Sequence, residues 1–200
     1  MEPYETLCRS VSKNMNTTSA MTQRYTSVAQ FFHWVTALLV LAAFFTGLGG
    51  SELRVYAAAR DAERALHETL GMTVFVVTAL RLAWRGFNPR PRPADMPAWM
   101  LRLSRLMQAL LYALLLAVPL SAITGAWLTG HPIQFLGGFE VRPLLALSHA
   151  IGTTIATIHP WLGDTVVWLA GLHAAAAIYH HAVLQDGVLV SMLPRWIVSR

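Results

Sequence analysis

The stretch "GLHAAAAIYHH", Gly171 to His181, places three histidines inside a run read as apolar from Trp161 to Leu184. An imidazole facing hydrocarbon or a dry core costs free energy unless a partner takes up its nitrogens. The length of the run sets the environment first. A helix rising 1.5 Å per residue crosses a bilayer core in about 20 residues, and four segments qualify: 28 to 48, 66 to 84, 104 to 128 and 161 to 184. With 55% hydrophobic and 12% charged residues and a mean hydropathy of +0.47 over 200 residues, almost the whole chain is membrane domain. The expected fold is therefore all-α, an integral membrane four-helix bundle.

The basic residues give the orientation, because those close to the spans stay in the cytoplasm. Arg9, Lys13, Arg24, Arg81, Arg85, Arg90, Arg92, Arg102, Arg105, Arg195 and Arg200 fall on one side of that topology, and only Arg54, Arg60, Arg64 and Arg142 on the other. Both termini are expected in the cytoplasm. The same arginines account for the net charge of +5, and no basic surface interleaved with aromatics points to nucleic acid. The single cysteine, Cys8, excludes an internal disulfide and covalent haem attachment through C-x-x-C-H. Residues 1–23 are polar, without the apolar middle of a signal peptide, and read as a disordered extension before a transmembrane domain at 24–195. The connection "RGFNPRPRPADMP" is too rich in proline to continue a helix, and Pro119 is expected to kink span three. In the segment 129 to 160, "PLLALSHAIGTTIATIH" reads as an interfacial helix or as an early start of span four.

His159 and His173 lie 14 residues apart, which on a helix is about 21 Å and nearly the same face. His67 opens span two at the depth of His159, and His33 sits near the inner end of span one at the depth of His173. The expected pairs are His67 with His159 and His33 with His173. Zinc would require four ligands at one level, usually with thiolates, whereas imidazole pairs at two levels suit two b-type haems held on both faces. Any one of these histidines, taken alone, is also readable as an interhelical hydrogen-bonding residue.

Other positions repeat the 14-residue interval. Gly47 follows His33 by 14 and is expected to leave room for a macrocycle at the outer level, as is Gly71 one turn below His67, although both are equally readable as close-packing glycines. Arg81 follows His67 by 14 and is expected to bind a haem propionate, with snorkelling to the interface as the alternative. His180, one heptad after His173, is a candidate quinone contact or proton relay. It is also an alternative iron ligand, at the cost of moving the two sites to about 31 Å apart. His131 and His149 are expected to have no ligand role. Arg60 and Arg64, above His67, are candidates for steering a small anion, with Glu52, Asp61 and Glu63 opposing their field.

"RYTSVAQFFHW", "LHETLGMTVFVVTALRLAWR", "IHPWL" and "GLHAAAAIYHH" followed by "DGVLVSMLP" resemble the bacterial cytochrome b561 family of four-helix, dihaem membrane proteins. The resemblance covers about residues 24 to 195 and is greatest to the short superoxide oxidase type. It implies haem ligands at His33, His67, His159 and His173, residence in the bacterial inner membrane, and electron transfer between a periplasmic donor, superoxide in the best-known case, and ubiquinone. The alternative is a haem-carrying anchor that wires a periplasmic dehydrogenase, hydrogenase or soluble cytochrome to quinone. The 1–23 extension and the apolar 129 to 160 segment depart from the family pattern.

Overall fold

The computed structural model describes residues 24–47, 56–88 and 96–198; the expectation of a disordered extension at 1–23 lies outside them. Four long helices dominate: α1 Ser27–Gly47, α2 Asp61–Phe87, α3 Ala98–Leu128 and α4 His149–Tyr179. A 3-10 turn, Ala58–Arg60, leads into α2. A two-stranded hairpin, β1 Ile133–Gln134 with β2 Glu140–Val141, lies between α3 and α4. After α4 come a π turn, His180–Leu184, and two short helices, α5 Val188–Met192 and α6 Arg195–Val198.

All four long helices are apolar and long enough to cross a bilayer, and their large side chains face outward. Leu38, Phe45 and Trp168 are 66%, 67% and 77% exposed, an arrangement that is favourable only in lipid. Several threonine hydroxyls in the spans are satisfied inside their own helix, as suits a medium without water. Thr36 donates to the Phe32 carbonyl at 2.6 Å, Thr69 to Ala65 at 2.6 Å, Thr157 to Thr153 at 2.8 Å and Thr165 to Trp161 at 2.7 Å.

The helices pair as α1 with α2 and α3 with α4. Small residues bring α3 and α4 together, as in other membrane helix pairs. A Cβ on Gly125 would lie 3.1 Å from the Ala156 backbone nitrogen, and one on Gly152 would lie 2.9 Å from the Thr129 nitrogen. The start of α4 is tied to the end of α3 by Ser148 N–H donating to the Leu128 carbonyl at 3.0 Å.

At the other end of the bundle, α5 is fastened to the start of α1. Its terminal carbonyls lack intrahelical donors and receive them from α1 and the residues just before it. Tyr25 N–H and the Gln30 amide reach Ser191 O at 3.2 and 3.1 Å, Trp34 Nε1 reaches Met192 O at 3.0 Å, and the Arg24 guanidinium reaches Leu193 O.

Span four starts at His149 rather than Trp161, so the early-start reading of 143–159 holds from His149 onward, and Pro160 sits inside the helix without ending it. Helix and π turn together make 36 residues, about 54 Å, so α4 projects well past a hydrocarbon core of about 30 Å. That length, with α1 beginning at Ser27, puts His33 and His173 at one level. Pro119 likewise lies within an unbroken α3.

Gly152 is the described glycine where an added Cβ would come nearest to neighbouring backbone, 2.9 Å from the Thr129 nitrogen. Gly152→Val should lower the detergent-solubilised protein's thermal midpoint by an amount equivalent to about 1–3 kcal/mol of overpacking. Gly163→Ala, where a Cβ meets nothing within 4 Å, should leave it unchanged. Circular dichroism melts of the two variants make the comparison.

Candidate functional site

Two histidine pairs form between α4 and the α1–α2 pair. The rings of His67 on α2 and His159 on α4 stand with centroids 6.1 Å apart and planes at 85°. His33 on α1 and His173 on α4 stand 6.3 Å apart at 79°. The 14-residue interval on α4 separates the two levels by about 21 Å. Among the described residues no group of three or more His, Cys, Asp or Glu side chains could hold a metal ion. A metal at either level would have two protein ligands and would have to bring its others with it.

The spacing suits such a metal. Two metal–imidazole bonds of about 2 Å each, plus about 1.1 Å from each ring nitrogen to its ring centre, give about 6.2 Å between centroids.

At the His67/His159 level the backbone sets the tautomer. His67 Nδ1 donates to the Ala43 carbonyl at 2.9 Å, with Thr46 Oγ1 at 3.5 Å. His159 Nδ1 donates to the Val118 carbonyl at 3.0 Å, with Ser121 Oγ at 3.2 Å. With the proton held on Nδ1, each Nε2 keeps a lone pair for a ligand bond, and a carbonyl on Nδ1 is how metal-binding histidines are commonly oriented. Gly47 packs directly on this pair: a Cβ there would lie 2.5 Å from His67 Cε1 and 2.8 Å from its Nδ1. Its absent side chain makes room for the imidazole itself. A Cβ on Gly71 would meet nothing within 4 Å.

The His33/His173 level is built differently. Arg81 Nη2 donates to His33 Nδ1 at 3.1 Å, which places that ring's proton on Nε2. The Arg81 guanidinium also lies 5.4 Å from the centre of the Tyr112 ring, and Arg85 lies 5.2 Å from the same ring while donating to Gln108 Oε1 at 3.0 Å. His180 stands apart from both pairs. Its Nδ1 meets Asp186, whose other oxygen accepts the Val188 N–H at 3.1 Å at the start of α5.

Beyond His67, charges are matched one against another. Arg60 pairs with Glu63 at 2.5 Å and Arg64 with Asp61 at 2.7 Å. Arg64 also donates to Gln134 Oε1 at 2.8 Å and lies 5.0 Å from the Tyr56 ring centre. His131 stacks on Tyr56 with centroids 3.5 Å apart and receives a contact from Thr129 Oγ1 at 3.0 Å. His149 is the first residue of α4.

Two residues escaped the sequence reading. Glu68 accepts the Gln134 N–H at 2.5 Å, holding the β-hairpin against α2 together with Thr69, whose hydroxyl accepts the Leu136 N–H at 3.0 Å. Asp164 is an ionisable residue inside span four. Each is a charge within a long apolar helix, and that is the signal by which each could have been found.

The family model described as prokaryotic cytochrome b561 matches residues 24–195. The chain is 31% identical over 172 residues to cytochrome b561 homolog 2 of Escherichia coli K12, a match spanning 86% of this chain and 92% of that one. It is 30% identical over 178 residues to cytochrome b561 homolog 1 of the same organism, spanning 86% and 98%. It is 26% identical over 184 residues to the probable superoxide oxidase CybB of Yersinia pestis, spanning 88% and 98%.

Glu68→Ala would leave the Gln134 N–H without its acceptor, a local cost of about 1–3 kcal/mol. Deuterium uptake of residues 131–141 should rise by roughly tenfold in rate relative to the unmodified protein. Uptake in α3 should not change, and equal uptake in the hairpin would show that Glu68 does not hold it.

Proposed function

The chain belongs to the prokaryotic cytochrome b561 family, a bacterial membrane protein of haem b electron transfer, and on that premise we propose that it is a dihaem cytochrome carrying electrons between a periplasmic donor and ubiquinone. His67 with His159 would hold one haem b and His33 with His173 the other. The observation that carries this reading is the spacing of the two imidazole pairs, 6.1 and 6.3 Å between centroids, which would leave room for a metal between the two rings at each level. The end of the bundle bearing the described termini is the cytoplasmic one by the arginine distribution, and the membrane is the inner membrane.

When bound, haem supplies the one-electron iron couple, and the chain tunes it through axial ligands, burial and charge. The chain's own residues do the positioning. Ala43 and Val118 carbonyls orient the outer imidazoles, and Gly47 admits one of them. Were His33 to hold a haem through Nε2, its proton would sit on Nδ1 and the Arg81 guanidinium, now donating to that nitrogen, would be free to bind a haem propionate, a carboxylate partner for a charge within a span. Gly71 gives open space on the His67 face of α2. The His180–Asp186 pair closes the turn at the cytoplasmic end, where a proton relay from the aqueous side would begin.

Superoxide is the best-supported donor, since one relative carries the name probable superoxide oxidase. Two superoxide ions give up two electrons and become two molecules of oxygen, while ubiquinone takes up those electrons with two protons and becomes ubiquinol. Arg60 and Arg64 contribute to steering only what Asp61, Glu63 and Glu68 leave unmatched. A second reading, a wiring subunit for a periplasmic dehydrogenase, hydrogenase or soluble cytochrome, is favoured by the apolar surface around the hairpin. Leu136, Phe139, Leu144 and Leu147 are all exposed there.

Purified protein should contain two haems by pyridine haemochrome. His67→Ala and His159→Ala should each lose about half of the pigment, and His33→Ala and His173→Ala the other half. Gly47→Ala should perturb the outer haem while sparing the inner. Superoxide should reduce the haem band promptly and a ubiquinone analogue should discharge it. Colourless protein, or full pigment in the His67 and His159 variants, would overturn the proposal; haem reduced only by a co-purifying protein would favour the wiring reading.

A further inference from the structure

Asp164 lies within about 4 Å of the middle of the 36-residue helix that runs from His149 to Leu184. It is exposed, and no hydrogen bond or ion pair to it exists among the described residues. A carboxyl facing lipid at such a depth is costly and marks a functional site by default. It also opens onto a cleft. Phe44 of α1 and Asp164, Val167, Trp168 and Gly171 of α4 enclose about 360 Å³, open to the lipid on one side. That volume falls within the range of small-molecule sites, and so does the character of its lining: apolar walls with a single polar group to fix orientation.

We propose that this groove between α1 and α4 binds the headgroup of the isoprenoid quinone, with Asp164 as the hydrogen-bond partner of one of its oxygens. The proposal rests on the acceptor reading above and gives it a place.

Four features select a quinone over an ordinary lipid chain. Trp168 and Phe44 supply aromatic faces for a planar ring. Gly171 leaves open space, since a Cβ there would meet nothing within 4 Å. The lateral opening admits a ligand whose tail stays in the bilayer. A carboxyl group is a donor when protonated and an acceptor when ionised, so one side chain serves both the carbonyl of the quinone and the hydroxyl of the quinol. An acyl chain offers nothing to satisfy it.

Depth agrees as well. Gly171 is two residues from His173, and Asp164 is five from His159, so the groove runs between the two histidine levels on the same helix. His180 is the weaker site. Its Nδ1 is engaged by Asp186, which also caps α5, and it lies about 24 Å along the helix axis from Asp164.

Haem-loaded protein in detergent can be titrated with decylubiquinone by calorimetry and photolabelled with an azido-ubiquinone. Asp164→Leu, which keeps the shape and removes the polar group, should weaken binding about tenfold. Gly171→Leu, which fills the floor, should abolish saturable binding. Both should keep the haem spectrum. Label should map to residues 40–47 and 161–173 and be competed by decylubiquinone. Saturable binding unchanged in both variants, or competed label at residues 180–186, overturns the groove and leaves ubiquinone as acceptor. No saturable binding by the unmodified protein overturns the acceptor reading and the groove together.

Discussion

The constraint on which the architecture depends is that an imidazole placed in a membrane span must have both of its nitrogens occupied. At the His67/His159 level the solution is visible for one nitrogen of each ring. Nδ1 is bound to a backbone carbonyl on a neighbouring helix, Ala43 of α1 for His67 and Val118 of α3 for His159. A helical carbonyl has a second lone pair beyond its own ladder bond, so the frame lends acceptors without breaking a helix. With Nδ1 held in this way, Nε2 is the nitrogen that each ring keeps for a further partner.

This also explains why four helices are needed when only three carry the paired histidines. α3 offers no ligand, yet it fixes His159 through Val118 and Ser121, and it is held close to α4 by glycine contacts. Gly125 lies against Ala156, three residues before His159, and Gly152 lies one further turn outward. Bulkier residues there would move α4 and carry His159 away from His67. Packing and site geometry are the same contacts seen at two points along one helix.

Much of this was legible in the sequence. The 3.6-residue period gave the paired histidines on α4, and the apolar runs placed α1 within one residue at each end, 28 to 48 against Ser27–Gly47. The start of α4 was read twelve residues late as a minimal span, because Thr153, Thr154, Thr157, His159 and Pro160 lower the hydropathy there. In the structure threonine hydroxyls return to their own helix and the proline is tolerated within it. The hairpin was not legible, since two residues per strand show no alternation, and its anchor on Glu68 is a tertiary fact. Gly47 was read either as room for a cofactor or as a close-packing glycine, and its immediate neighbour is the His67 ring; spacing gives a face, but only packing gives the atom. Asp164 was missed because an apolar average hides one charge.

The two histidine levels are not equivalent, and the difference is electrical. Near His67 and His159 the charges, Arg60, Arg64, Asp61, Glu63 and Glu68, are mixed in sign and mutually paired. Near His33 and His173 stand Arg81 and Arg85, with Tyr112 between them and no ion-paired carboxylate among the described residues. In a low-dielectric interior such charges act over long range. A fixed positive charge stabilises the form of a redox group that has gained an electron. A carboxylate supplied by a cofactor would neutralise one guanidinium, but Arg85 would still favour negative charge at that level. The arginines of α2 thus make the His33 level the more electropositive of the two, while the His67 level is balanced by its carboxylates.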